Sequence, residues 1–191
     1  VQHLNYVKGL IYKMVRLGDV CEIKRGTRLN KDNDLIDNGK YPVYGAGKLI
    51  GYSNKCNRNN NLNCIICRVG SKTSKDCCKL INNKLFLTDA AFSISTSDIL
   101  KHNYISYYLS YCYDNIFTTL SGGSVQMTIS QETLSEINIP IPKTEQKMKH
   151  WVDKISKPYN RVIECKEKLK SLEARVQTDI QDLLDNNETE D

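Results

Sequence analysis

The sequence predicts an α+β fold, in which a mixed globular domain with a β-sheet core is followed by one long coiled-coil-forming helix. Three observations predict this fold. Short apolar runs alternate with clusters of Gly, Asn and Ser up to residues 140–143. Beyond that point the chain contains no Gly, and its one proline is Pro158. Apolar residues there recur every seven positions, whereas the earlier runs have the lengths and boundaries of strands.

Length and composition allow one domain with an appendage. The chain has 191 residues, of which 40% are hydrophobic and 26% charged, as in globular proteins. No apolar run approaches the roughly 20 residues that span a bilayer, so we expect no membrane partner. The expected bounds are 1–14 for a leader or linker, 15–143 for the globular domain, 144–187 for the helix and 188–191 for a tail.

The first half of the globular domain is rich in turns. Residues 15–23 indicate a short helix or turn that leads into a strand, and residues 30–40 are polar. Residues 41–52 hold three glycines in seven positions, which predicts a loop with close backbone approaches. A second polar loop, dense in Asn, follows at residues 53–63.

The second half carries the apolar elements. Residues 63–69 and 85–94 are predicted to be buried strands because of their apolar character. Residues 137–141 predict a last strand, whose prolines suit a sheet edge. Between them, residues 102–120 predict a helix with five side chains on one face, namely Ile105, Tyr108, Leu109, Cys112 and Ile116.

The long helix carries a heptad repeat. Thr144 is predicted to cap its start. The repeat is close to 3.5 residues, which favours pairing with another helix over packing back on the chain's own domain. Pro158 is expected to kink the first turns or to split the helix. The predicted pairing residues are Ile155, Val162, Leu169, Leu172, Val176, Ile180 and Leu183, with Tyr159 and Cys165 in companion positions.

The eight cysteines raise the question of metal binding. Cys64, Cys67, Cys77 and Cys78 resemble part of a zinc ribbon, but two adjacent cysteines make a poor second ligand pair. We therefore predict no metal and no cofactor, with free thiols acting as small hydrophobic groups in a reducing cytoplasm. A zinc-dependent or protein-interaction module remains the alternative of another class.

The sequence lacks the usual signs of catalysis. Gly45, Gly47 and Gly51 evoke a nucleotide loop, yet the Lys-Ser/Thr of a P-loop and the strand–loop–helix context are missing. The three histidines are scattered, and no Ser-His-Asp order comes with a nucleophile elbow. The Pro-Pro tetrapeptide of an adenine methyltransferase is also missing. These features favour a protein without a catalytic centre.

Positive charge is concentrated in the globular domain. Residues 1–143 carry 18 Lys and Arg against 11 Asp and Glu, a difference of +7, whereas residues 144–191 carry 9 against 11, a difference of −2. A basic domain suits a polyanion such as DNA. Its cations and polar groups fall in four segments that are predicted to bind DNA: Lys24, Arg25 and Arg28; Tyr44 and Lys48; Arg68, Ser71 and Lys72; Ser121, Ser124 and Gln126.

These segments suggest two modes of contact. Lys72 is expected to meet phosphate, and the Gln126 amide to pair with the edge of an adenine. An alternative role for Gln126 is to cap the short helix that ends near Leu134.

The order of segments resembles the specificity subunits of Type I restriction–modification systems. The opening at 15–27, the Tyr/Gly-rich segment at 40–52, the strand with Gly-Ser at 65–71 and the "Thr-Asp-x-Ala" strand at 85–94 are similar to the family. The most specific resemblance spans 121–146, where a Gly/Ser-Gln loop, a short helix and a Pro-bearing strand precede Glu-Gln at the start of the long helix.

The resemblance implies a target-recognition domain and a spacer helix, with no chemistry of its own. Such subunits usually carry two units that read the halves of a split site in double-stranded DNA, and their helices pair antiparallel. The implied partners are a DNA adenine methyltransferase subunit, a restriction subunit and a second specificity unit, either a homodimer copy or a tandem half. The alternative is the recognition domain of a fused methyltransferase–nuclease chain.

Overall fold

The computed structural model describes residues 11–30, 34–60, 62–70, 77–120 and 127–187. The chain divides into two compact units, Val1–Val152 and Asp153–Asp191. Within the described residues, the strands in chain order are β1 (Tyr12–Arg16), β2 (Glu22–Arg25), β3 (Tyr41–Gly45), β4 (Lys48–Ser53), β5 (Asn63–Cys67), β6 (Val69–Gly70), β7 (Cys78–Ile81), β8 (Phe86–Leu87), β9 (Ala91–Ser95), β10 (Met127–Thr128) and β11 (Asn138–Pro142). The helices are α1 (Leu17–Val20), α2 (Ile99–Leu120), α3 (Gln131–Ser135) and α4 (Glu145–Asn187). The predicted α+β class is confirmed.

An antiparallel four-stranded sheet, in the order β2-β9-β5-β7, lies at the centre of the first unit. Every residue of β5 is buried. Its Cys64 and Ile66 belong to the apolar cluster formed with α2, while Ile65 belongs to a second cluster with Leu85 and Leu87. Burial on both faces explains the unbroken apolar run from which this strand is predictable.

Helix α2 begins at Ile99, three residues before the predicted start. Ile105 and Leu109 are fully buried, as expected, but Tyr113 and Phe117 are also fully buried. The buried face is therefore rotated relative to the predicted one, and Tyr108, Cys112 and Ile116 lie at its margin, partly buried.

The glycine-rich segment predicted as a loop forms a hairpin instead, so that prediction is wrong. Strands β3 and β4 pair antiparallel, and β8 pairs parallel to β3 on its other side. Ala46 and Gly47 form the turn, with φ of 47° and 76°. Positive φ at both central positions gives the turn a twist that matches two-residue hairpins, so the glycines serve a turn between strands.

Two further strand predictions need correction. The predicted strand at 85–94 is divided into β8 and β9, because the connection at 88–90 moves the chain from the three-stranded sheet to the four-stranded one. The predicted strand at 63–69 ends at Cys67, and Val69 belongs to β6. The edge strand at the end of the domain is present as β11, and its partner β1 begins at Tyr12, within the segment assigned to the leader.

Helix α4 begins where the sequence predicts. The Lys147 amide donates to Thr144 Oγ1 at 3.4 Å, which is the expected cap. Met148 and Val152 are buried in the core of the first unit. The helix is continuous through Pro158, so the expected split does not occur. Among the described residues, no helix has the length and apolar character needed to cross a membrane.

In the second unit, the predicted pairing stripe faces solvent. Ile155 is half-buried, whereas the other six pairing residues are more than half exposed: Val162 52%, Leu169 58%, Leu172 56%, Val176 55%, Ile180 52% and Leu183 66%. A stripe of this length that no other side chains bury exposes a substantial apolar surface to water.

Most of the cysteines are core residues. Cys64 and Cys78 lie on neighbouring strands with their Sγ atoms 3.6 Å apart, and the Cys77 thiol hydrogen-bonds to Cys67. All eight thiols are free. Burial raises the pKa of Cys21 to about 12, and the hydrogen bond with Cys67, together with burial, raises the pKa of Cys77. These thiols are protonated at neutral pH, which makes them poor nucleophiles.

We expect Cys21, Cys64, Cys67, Cys77 and Cys78 to resist alkylation in the native chain. Iodoacetamide labelling, mapped by mass spectrometry, should be at least about 100-fold slower at these five positions than in denaturant, because labelling requires local opening. The Cys165→Ser variant removes the exposed thiol and serves as the control. Rapid labelling of any of the five in the native chain would contradict their placement in the core.

Candidate nucleic-acid interface

Two of the four predicted DNA-binding segments meet at Asp89. Arg25, at the end of β2, donates from Nε to the Asp89 carbonyl at 3.3 Å and pairs through Nη2 with the carboxylate at 3.4 Å. Arg68, between β5 and β6, donates from Nη1 to the same carbonyl at 3.3 Å. The two arginines lie far apart in sequence, yet one short connection holds both.

The Asp89 connection also reaches the hairpin. It joins β8 to β9, and its Thr88 amide donates to the Tyr44 carbonyl at 2.9 Å. The Tyr44 side chain packs against the cluster of Ile65, Leu85 and Leu87. The segment that carries Tyr44 is thereby fixed beside the segments that carry Arg25 and Arg68.

Gly26 allows this close packing. A Cβ atom at this position would lie 2.1 Å from the Thr88 carbonyl oxygen and 2.5 Å from that of Leu87. Both obstacles are backbone atoms, so a side chain would force the strand connection to move. Residues 24–28 form the basic turn. Because Gly26 has no side chain, this turn packs directly against the backbone of residues 87–88.

The short ribbon of β6 and β10 pairs residues that flank two of the four predicted segments, namely the segment that begins with Arg68 and the segment that ends at Gln126. Gly70 pairs with Met127, and the Ile129 amide donates to the Arg68 carbonyl at 2.8 Å. Gly70 directly precedes the predicted Ser71 and Lys72, and Met127 directly follows the predicted loop. The predicted residues Ser71, Lys72, Ser121, Ser124 and Gln126 themselves lie outside the described residues.

The alternative role of Gln126, as a cap of the short helix, falls on a residue outside the described ones. Ser130 holds the N-cap position of α3, and its Oγ accepts from the Thr133 amide at 3.1 Å. Ser130 therefore satisfies one of the free amides in the first turn of α3.

Arg25, Arg68 and Asp89 form the Asp89 cluster, and among the described residues no side-chain hydrogen bond or ion pair joins Lys48 or Arg28 to it. Lys48 is exposed beside the hairpin turn, where it pairs with Gly45. Arg28 borders a polar depression of about 570 Å³ that Leu29, Asn30 and Asp34 also line. The Lys55 ammonium at 2.5 Å lowers the pKa of Asp34, which keeps that carboxylate ionised.

The cations at this surface are available to a polyanion. The side chains of Arg25 and Asp89 are 49% and 42% exposed, and that of Lys24 is 60% exposed in its pair with Glu22. Exposed ion pairs of this kind contribute at most about 1 kcal/mol, so a phosphate can compete for the cation. Within the described residues, no three His, Cys, Asp or Glu side chains are grouped to hold a metal ion.

Sequence reasoning missed the residues that hold this surface together. Asp89 lies in the "Thr-Asp-x-Ala" segment, which carried a resemblance but no assigned role. Asn57 and Arg58 lie in a polar loop that is indistinguishable by composition from ordinary surface. Their contacts are with residues about 30 positions away, which no local pattern reveals.

Comparison with known proteins decides the family. The family model described as "Type I restriction modification DNA specificity domain" matches residues 11–174. The chain belongs to this family. A comparison with the curated proteins finds no match.

Solved structures show the same fold as this specificity domain. The S subunit of a Type I restriction–modification system from M. genitalium is 19% identical, with a TM-score of 0.65 over 76% of this chain. The HsdS subunit from Thermoanaerobacter tengcongensis is 19% identical, with a TM-score of 0.52 over 81%. A chain from a study of complex assembly in the type I R-M system is 17% identical, with a TM-score of 0.59 over 87%. This chain spans 38%, 39% and 43% of their respective lengths.

Proposed function

We propose that this specificity domain reads one half of a split site in double-stranded DNA, as a non-catalytic component of a restriction–modification system. The observation that carries the proposal is the meeting of Arg25 and Arg68 around Asp89. The Arg68 carbonyl accepts from the Ile129 amide, which places Arg68 at the strand pair that flanks the segments with Lys72 and Gln126. Exposed cations at the ends of strands suit phosphate contacts, and polar loops between them suit contacts with base edges.

The partners follow from the family and from the fraction of the related subunits that the chain spans. We propose that the domain directs a DNA adenine methyltransferase subunit and a restriction subunit to the site, in a reducing cytoplasm. The free thiols of the core fit that compartment. A domain that spans about two fifths of the related subunits needs a second unit to read the other half.

The charge of α4 favours antiparallel pairing with that second unit. Residues 154–170 carry six Lys and Arg against two Glu, a difference of +4. Residues 171–187 carry one Arg against four Asp and Glu, a difference of −3. Antiparallel helices place the basic half beside the acidic half, whereas parallel helices place like charges together. The exposed stripe then supplies the apolar seam in a homodimer or with a tandem half.

Binding to duplex DNA is expected to depend steeply on salt. If about five phosphates are neutralised, the log–log slope of affinity against salt concentration should be near −4 to −5. Fluorescence anisotropy with a random-sequence duplex measures the slope. Arg68→Gln should reduce its magnitude by about one, because one phosphate contact is lost.

The matched control is Lys143→Gln, which removes one exposed positive charge distant in sequence from the Asp89 cluster. It should leave the slope unchanged if the effect depends on position and not on net charge. A slope near zero for the wild-type chain, or equal changes in the two variants, would argue against this surface as the DNA interface.

A further inference from the structure

Arg58 is a half-buried cation whose hydrogen bonds all go to the protein's own oxygens. Nη2 donates to the carbonyls of Arg25 at 2.9 Å and Lys24 at 3.2 Å. Nε donates to Ser93 Oγ at 2.6 Å, and Nη1 donates to the Asn57 carbonyl at 2.8 Å. Among the described residues, no carboxylate forms an ion pair with it. Burial without such a partner lowers the pKa of the guanidinium, so this placement is costly.

Asn57 holds the next part of the same turn. Its Nδ2 donates to Thr27 Oγ1 at 2.7 Å and to the Leu87 carbonyl at 2.9 Å. Its Oδ1 accepts from the Leu87 amide at 2.7 Å. The Asn57 amide group therefore bridges the basic turn and strand β8.

The two residues are themselves anchored to the core. The backbone of Arg58 exchanges two hydrogen bonds of 3.0 Å with Leu85, which is fully buried. Hydrogen bonds thus connect the buried Leu85, through Arg58, to the carbonyls of Lys24 and Arg25. With those carbonyls engaged by a cation, the turn has little freedom and presents less exposed negative potential to an approaching phosphate.

We propose that Asn57 and Arg58 are positioning residues that hold the basic turn in the geometry that presents Lys24 and Arg25 to DNA. The proposal rests on the proposed function of the domain. Arg58 acts through the turn and makes no contact with DNA. Holding the turn rigid before binding avoids the entropic cost of ordering it on the DNA. Arginine is required because a single ammonium cannot reach two carbonyls, a hydroxyl and a third carbonyl at once.

The test uses the whole chain and measures two quantities separately, the opening of the basic turn and the affinity for DNA. Amide hydrogen exchange reports the turn, since the Gly26 and Thr27 amides donate to the Ala91 and Leu87 carbonyls at 3.0 Å. Arg58→Gln and Arg58→Lys should each accelerate exchange at these two amides at least about tenfold. Each should also weaken binding to a random-sequence duplex about tenfold, because ordering about one residue's backbone costs that much in affinity. Arg58→Lys keeps the positive charge, so a loss of DNA affinity in this variant is due to the position of the turn and not to net charge.

Lys143→Gln should leave exchange at both amides unchanged. Should both Arg58 variants fail to fold, Asn57→Ala keeps the guanidinium and is expected to show the same two effects. Unchanged exchange at Gly26 and Thr27 in these variants would show that Arg58 and Asn57 do not hold the basic turn. Faster exchange with unaltered DNA affinity would show that holding the turn does not contribute to DNA binding. A wild-type chain that fails to bind DNA would refute the proposed function itself. The exchange data would still decide whether Asn57 and Arg58 hold the basic turn.

Discussion

Replacing Leu169 and Val176 together by aspartate is expected to abolish association through α4. In a homodimer the change removes four apolar side chains from the seam, each of which contributes roughly 1.5 kcal/mol or more when buried. It also brings four carboxylates into a desolvated contact. The expected loss is at least about 6 kcal/mol, or more than about 10⁴-fold in Kd. Analytical ultracentrifugation over a concentration series measures it.

The control places the same charges on the opposite face of the helix. Asn160→Asp with Ala174→Asp adds two carboxylates at exposed positions outside the stripe, and association should be retained. If the wild-type chain is monomeric at about 100 μM, self-pairing is wrong, and pairing with a tandem half is what remains.

Cys165 reports the direction of pairing in the same samples. Antiparallel helices centred near residue 170 place the two Cys165 residues about ten positions apart, or roughly 15 Å along the axis. A short bifunctional thiol reagent should then fail to join them. Efficient crosslinking of Cys165 to its copy would instead indicate parallel helices in register.

Gly26→Ala is expected to cause the largest loss of stability among single substitutions at the interface. Its Cβ would meet two backbone carbonyls, and those carbonyls are held by the Thr27 amide and by the strand connection. The backbone must shift, which we expect to lower the free energy of unfolding by about 3 kcal/mol. For a chain of this size the thermal midpoint should fall by about 6–12 °C, as measured by circular dichroism.

Gly45→Ala provides the matched comparison at the same junction. Its Cβ would meet the Thr88 hydroxyl at 2.9 Å and the end of the Ile50 side chain at 3.5 Å. Side-chain tips can rotate away, so the expected loss is below about 1 kcal/mol. A Gly26→Ala variant as stable as Gly45→Ala would show that the junction is less tightly packed than the structure indicates.

The elements that were predictable share a local cause. Strand β5 is buried on both faces, and its sequence is accordingly apolar throughout. Helix α4 is long and regular, so its cap at Thr144 and its heptad stripe are readable without tertiary information. The same holds for the segments of positive charge, because charge is a property of composition. The resemblance to the specificity subunits depended on the order of such local segments.

The hairpin and the divided strand were not predictable for a common reason. A glycine-rich segment is compatible with a loop and with a tight turn between strands, and the choice depends on whether a partner strand is present. The hairpin of β3 and β4 gains such a partner in β8, which pairs with β3 and lies about 40 residues further along the chain. Residues 85–94 are likewise divided because β8 pairs with β3 in one sheet, whereas β9 pairs with β5 in another.

The sequence by itself determined the fold class, the heptad stripe on α4 and the basic character of the domain, because each depends on residue type and short-range spacing. Only the tertiary structure decided which groups the arginines of this surface contact. Arg25 and Asp89 are 64 residues apart, and Arg58 reaches Arg25 across 33 residues. Hydrogen bonds over such separations depend on the packing of strands into sheets, and no local pattern encodes which side chain will lie opposite another.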